Sequence, residues 1–307
     1  MQETSKPIKK TLLHRFLDAP FIFGVVFTVI YFLTRYWLSA ALSFWVPQTN
    51  IQDGLYDVCC TIPNIILMAL LAKYLIRWAT SDASWKNGNI PVAGMNFTLG
   101  FTGKRLGSSL VLSIPLIMTK AFFLIIVVAL VITGNAAITS NIVLYALLAC
   151  IVPGLSEELL VRGVVLGNMV RCYGADTKGI FKSAVISSAV FGATHIVNYI
   201  AGIPLPYVIT QMFFATGVGF LCAAMYLRTR NIWGCVIGHA LFDGISLIMS
   251  GVIAGQSLTA KESMEATSTI TANSLVSLTA YTVILVAIGL FLLRKSKRED
   301  IKKLWED

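Results

Sequence analysis

Apolar residues in this chain come in long unbroken runs. Neither the period-two alternation of half-buried strands nor the one-sided stripe of a soluble amphipathic helix is seen. A membrane-crossing helix needs about 20 mostly apolar residues, and eight stretches qualify: 21–44, 55–78, 106–133, 141–170, 180–200, 205–227, 231–254 and 273–293. The fourth is too long for one straight crossing, and Pro153-Gly154 predicts a kink within it. Gly202-Ile203-Pro204 reads as a tight turn between the fifth and sixth stretches. The pattern predicts an all-α fold, a polytopic membrane bundle of about eight transmembrane helices.

The polar stretches between the runs are short. Residues 79–105 hold "SDASWKNGN", and residues 255–272 read "GQSLTAKESMEATSTITA", a flexible Ser/Thr-rich loop. Neither is able to bury a core of its own, so no second soluble domain is expected, and no internal repeat is visible. The chain divides into an N-terminal membrane region over 1–139, a central region over 140–255, and a last helix with a basic tail over 256–307. The tail "RKSKREDIKKLWED" reads as a solvated topogenic segment, or, with cations before anions, as a short helix lying at the lipid headgroups.

Composition agrees with the pattern. Of 307 residues, 56% are hydrophobic and 13% charged, and the mean hydropathy of +0.77 is far outside the range of soluble proteins. Cationic loops favour the cytoplasm. Placing the N-terminus inside puts Lys6, Lys9, Lys10, Arg15, Lys73, Arg77, Lys86, Lys104 and Arg105 there, then Arg171, Lys178, Lys182, Arg228, Arg230 and the tail; only Lys261 falls outside. Both termini are therefore expected to be cytoplasmic, in a multi-pass protein of a cell membrane, most simply a bacterial one. This topology accounts for the net charge of +9, so nucleic acid is not an expected partner; anionic membrane lipids are. No cleavable signal peptide is visible. Cys59, Cys60, Cys150, Cys172, Cys222 and Cys235 lack metal-ligand spacing and read as packing residues.

Charge then changes the picture, because an ionisable side chain at mid-bilayer costs about 2.5–3.5 kcal/mol and calls for a reason. The embedded set is Arg35, Lys120, Glu157, Glu158, Arg162, His195, His239 and Asp243. Arg35, beside Tyr36 and Trp37, is expected to snorkel to headgroups. Lys120 lies deeper, with two roles open: neutralising a glutamate or reaching a lining cavity. The other six fall on three helices. Glu158 and Arg162 are four apart, acid first, the favourable order for an ion pair. Glu157 is turned by about 100° from Glu158, so one carboxylate is tied and the other is left freer. Phe191 and His195 stand one turn apart, as do His239 and Asp243, with Gly238 and Gly244 leaving room for a neighbouring helix. Counting helical rise, Glu157, His195 and His239 can meet near mid-membrane or in its cytoplasmic half.

These residues resemble the motifs of the CPBP family of CAAX proteases and bacteriocin-processing enzymes, also called Abi, which includes the Ras-converting CAAX endopeptidase. The family motifs EExxxR, FxxxH and HxxxN/D stand here as Glu157-Glu158-Leu-Leu-Val-Arg162, Phe191-Gly-Ala-Thr-His195 and His239-Ala-Leu-Phe-Asp243, over residues 140–255. The resemblance implies an eight-helix intramembrane endopeptidase. Carried over, Glu157 is the general base on water, Glu158 and Arg162 the structural ion pair, and His195, His239 and Asp243 the set that handles water and oxyanion, with Phe191 a supporting ring that packs beneath the His195 imidazole. The last motif position is often Asn in the family, and an ionised Asp cannot donate to an oxyanion. Asp243 is therefore expected to accept from His239 and orient its ring, with a protonated acid as the alternative.

Attack by water needs no Ser or Cys nucleophile, and Ser156 lacks the flanking glycines of a nucleophile elbow. No cofactor is required. A zinc variant of the same protease would draw its three protein ligands from Glu157, His195, His239 and Asp243. Outside the enzyme class stand a catalytically silent immunity or regulatory membrane protein and a transporter with a proton relay. The resemblance implies a peptide or protein substrate, lipid-modified or of bacteriocin or signal-peptide type, entering from the cytoplasmic half.

Overall fold

The computed structural model describes residues 12–44, 50–81 and 99–306. Lys6, Lys9, Lys10 and Lys86, and most of the polar stretch 79–105, lie outside the described residues. Among the described residues every regular element is helical: α1 (Leu12–Leu17), α2 (Pro20–Ser43), α3 (Asn50–Ser81), α4 (Leu106–Met118), α5 (Ala121–Ile132), α6 (Ser140–Glu158), a π-helical segment (Leu159–Leu166), α7 (Gly167–Tyr173), α8 (Thr177–Thr194), α9 (Val197–Ile200), α10 (Leu205–Thr229), α11 (Trp233–Ala254), α12 (Ala260–Ala266), α13 (Ala272–Leu292) and α14 (Arg298–Glu306). Among the described residues seven helices are long and apolar enough to cross a membrane, or eight when the bent pair α4–α5 is counted as one span. The protein is an integral, multi-pass membrane protein.

Two of the predicted spans are built differently from the expectation. The third is not one rod: α4 and α5 meet at 64°. The Thr119 hydroxyl donates to the Leu116 carbonyl at 2.6 Å and closes α4, which leaves Lys120 at the corner. In the fourth, the helix continues through Pro153, and the irregularity comes six residues later, where backbone bonds switch to the wider i→i+5 pattern over Leu159–Leu166. Gly202, at φ +98°, makes the expected turn before α10.

The run α6–π–α7 is the axis of the molecule. From Glu158 to Arg171 every residue is buried, and α2, α3, α8, α10 and α11 all pack against this run. Close approach depends on missing side chains. A Cβ on Gly154 would stand 2.8 Å from both Ala240 Cβ and the Val236 carbonyl, so only glycine lets α11 lie this near α6. Gly238 and Gly244 face Ser113 and Cys150 across close contacts, where a Cβ would stand 3.0 and 3.2 Å away, as their small size predicts. On the other side of the axis, Asn231 ties the segment before α4 to the start of α11, donating to the Thr102 and Lys104 carbonyls at 2.7 and 2.9 Å. The tail is not simply solvated: α14 buries Ile301 and Trp305, and the Trp305 indole donates to the Leu227 carbonyl at 2.9 Å.

Candidate active site

Three of the embedded groups converge on one phenyl ring. Phe191, on α8, is fully buried, and its centroid lies 5.2 Å from the His195 ring and 5.8 Å from the His239 ring, both edge-on. The Arg162 guanidinium lies over the same ring at 4.7 Å. Gly219 of α10 makes room, since a Cβ there would sit 3.0 Å from Phe191 Cδ1, and its carbonyl accepts from Arg162 Nη2 at 3.0 Å. One helical turn separates Phe191 from His195, Glu158 from Arg162 and His239 from Asp243, so the members of each pair lie on one face of their helix.

The charges form a line of alternating sign. Glu158, with no solvent exposure, pairs with Arg162 Nε at 3.1 Å through Oε2 and with His239 Nδ1 at 2.9 Å through Oε1. On its other nitrogen, His239 Nε2 meets Asp243 Oδ2 at 3.4 Å. Lys120 follows at the α4–α5 corner: its ammonium sits 4.1 Å from the Phe242 centroid and 5.0 Å from that of Phe123, within the field of Asp243. The order Arg162, Glu158, His239, Asp243, Lys120 crosses the bundle from the π-helical segment to the α4–α5 corner. Buried charges are tolerated when they meet their opposites; Glu158 meets Arg162 and His239, and His239 meets Asp243, while Lys120 acts on Asp243 through space.

Glu157 takes no part in it. This side chain is half-buried and, among the described residues, forms neither a hydrogen bond nor an ion pair. The expected division between a tied and a freer carboxylate is thus present, but the carboxylate that meets an imidazole is Glu158. Adjacent residues diverge by about 100° around a helix, and Gly154 brings α11 onto the Glu158 face. Glu157 turns instead toward α2, where its charge reaches the buried Tyr31 hydroxyl, which packs against the side chains of Ser156 and Arg35. Arg35 therefore does not simply reach for headgroups: Tyr36 and Trp37 are exposed, while Arg35 is half-buried beside Tyr31. His195 ends α8, with Nδ1 3.2 Å from the Phe191 carbonyl and 3.4 Å from Thr194 Oγ1, and among the described residues it forms no hydrogen bond or ion pair with either glutamate.

Tyr31 was not legible as a site residue. It lies on α2, more than a hundred positions from the motifs, in a run that reads only as apolar; its one signal is a hydroxyl within a predicted span. Cys222 and Cys235 were read as packing residues, yet their sulfurs and a Glu158 oxygen lie within 4.8 Å of one another, all buried. The guanidinium of Arg162 stands against the same glutamate, a charge that opposes a cation there. The donors of the alternative zinc set, Glu157, His195, His239 and Asp243, form no such trio among the described residues.

The fold and this line of charge define a membrane protein with an internal polar site. Residues 139–245 match the family described as Rce1-like, type II CAAX prenyl endopeptidase. This segment, about a third of the chain, is similar to that family and carries all three motifs, and the likeness supports the broad class of CAAX-type intramembrane protease. No curated protein and no solved structure matches the chain.

Proposed function

We propose that the protein is an intramembrane endopeptidase that hydrolyses a peptide bond of a membrane-associated peptide, with water activated by Glu157. The observation that carries this reading is the contrast within the glutamate pair: Glu158 is fully committed to Arg162 and His239, while Glu157 has no hydrogen-bonding partner among the described residues. A carboxylate without partners has its lone pairs available for the proton of a water molecule. In the proposed step Glu157 takes that proton as the water oxygen bonds to the scissile carbonyl carbon. The carbonyl oxygen becomes an oxyanion, and on its collapse the C–N bond breaks and Glu157 returns the proton to the leaving amine.

The imidazoles of His195 and His239 are the proposed oxyanion donors. His239 has a carboxylate at each ring nitrogen, and a ring donates from both nitrogens only as an imidazolium. The longer contact, to Asp243, is the one an oxyanion would replace. Until that replacement Asp243 is an orienting acceptor on the ring, and Lys120 is a positioning residue that offsets its charge at the far end of the line. The substrate is proposed to be a lipid-modified, bacteriocin-like or signal-type peptide.

The test compares purified wild-type protein and Glu157→Gln, reconstituted in lipid, on a library of membrane-associated peptides, alongside the membrane peptidomes of cells expressing each. Cleavage by wild type and its loss in the variant is the expected result. Identical peptide profiles from two folded proteins would sink the proposal and leave the silent binding protein as the reading.

A further inference from the structure

We propose that a cavity at the ends of α4, α10 and α14 binds the phosphate group of an anionic phospholipid. The cavity, of about 810 Å³, is walled by Arg105, Arg228 and Lys303 with Asp300 at its edge, and by Val111 and Leu112 along α4. Its depth is set by the helices: α4 begins at Leu106, α10 ends at Thr229, and α13 ends at Leu292 just before the chain turns into α14. The ends of three membrane-crossing helices mark the level of lipid headgroups.

The charge there is unbalanced. Among the described residues none of the three cations has an ion-pair partner, and Arg228 Nε is buried without a hydrogen-bond acceptor. Arg228 also lies in the field of two like charges, Arg105 and Arg294, against one opposite charge, Asp300. That carboxylate is 68% exposed and 3.8 Å from Lys297, so it is shared. Holding several cations together is unfavourable unless an anion lies between them, and guanidinium groups suit phosphate oxygens.

Two features favour a lipid over a soluble phosphate compound. Val111, 62% exposed, continues the cavity along α4 toward the bilayer interior, where an acyl chain would lie. The opposite wall is also fixed to the bundle. Trp305 donates to Leu227, Arg230 donates to the Leu304 carbonyl at 2.9 Å, and the Arg230 guanidinium lies 5.3 Å from the Trp305 ring. The Lys303 side of the site is therefore held in place by α14 docking, which a solvated tail would not provide. This site is independent of the proposed proteolysis.

The experiment uses the full chain, purified in detergent and incubated with equal amounts of phosphatidylglycerol and phosphatidylcholine, with retained lipid read by native mass spectrometry. Wild type is expected to hold phosphatidylglycerol about tenfold more than phosphatidylcholine, as a few interfacial cations allow. Arg105→Gln/Arg228→Gln is expected to lose that preference, and Lys178→Gln/Lys182→Gln, at other exposed cations, to keep it. Should the double variant not fold, Lys303→Gln, on an exposed side chain, must show a reduced preference. An unchanged preference in a folded cavity variant overturns the proposal. Displacement of the lipid by inorganic phosphate or glycerol 3-phosphate overturns the lipid assignment in favour of a soluble anion.

Discussion

The last crossing helix, α13, and the central helix α10 differ in opposite directions in hydropathy and burial. α13 has the higher mean hydropathy, 2.4 against 1.7, yet 22% of its apolar window is buried inside the protein and 61% of that of α10. In water the more apolar helix would be the core. In a bilayer lipid tails satisfy α13, and the protein interior is reserved for backbone and side-chain groups that lipid cannot satisfy. α10 earns its burial with the Gly219 carbonyl that receives Arg162 and the glycine surfaces that admit Phe191 and α13. The motif helices are inside because they carry polar chemistry, and the outer helices insulate it.

Substitutions within the polar interior should therefore cost far more than those on the lipid-facing shell, and they should divide by role. The largest effect is expected for Glu157→Gln: a loss of peptide cleavage by about 10²–10⁴-fold, the usual contribution of a positioned general base, with an unchanged melting temperature. Next comes Glu158→Gln, which leaves Arg162 buried without its counter-charge. A stability loss of about 3–5 kcal/mol is expected from breaking one partner of a buried pair, read as a lowered unfolding midpoint in detergent. If these two variants exchanged phenotypes, the roles of the glutamates would be reversed.

Asp243→Asn and Lys120→Met test the far end of the charge line. Each alone should lower stability and cleavage, and together they should be less harmful than the sum, with a coupling of about 0.5–3 kcal/mol; strict additivity would remove Lys120 from the site. On the shell, Val276→Ala in α13, where the side chain is 69% exposed, should change stability by less than about 0.5 kcal/mol, measured in the same assay. The smallest effect concerns α12. Thr259 donates to Glu262 from its backbone and hydroxyl, which holds the Glu262 carboxyl below its ordinary value. Its contribution is present above the unfolded-state value and is lost as pH falls through the lowered one. Amide exchange at α12 should quicken on acidification while the core amides stay protected.

Much of the site could be read along the chain because its pairs are local. Glu158 with Arg162, Phe191 with His195 and His239 with Asp243 are each one helical turn apart, and a spacing rule finds them without a fold. What joins the pairs is not local. The bond between Glu158 and His239 links positions 81 apart and depends on which face Gly154 turns to α11. The meeting of Tyr31 with Glu157, and of Cys222 with Cys235, likewise depends on helix rotation, which an unbroken apolar run leaves undefined. The break before Lys120 was hidden for another reason: Thr119 ends α4 with a side-chain bond to its own backbone, a choice that hydropathy does not register.

The amino-acid order alone determined that this protein lives in a bilayer, how many times it can cross, and which polar groups must be hidden, because the cost of each uncompensated group in lipid is paid residue by residue. Only the tertiary structure decided which glutamate meets histidine, that Lys120 closes the line of charge, and that α14 docks on α10. Those outcomes depend on the rotation and separation of packed helices, and small residues such as Gly154 and Gly219 set them through contacts that exist only once the partners are in place.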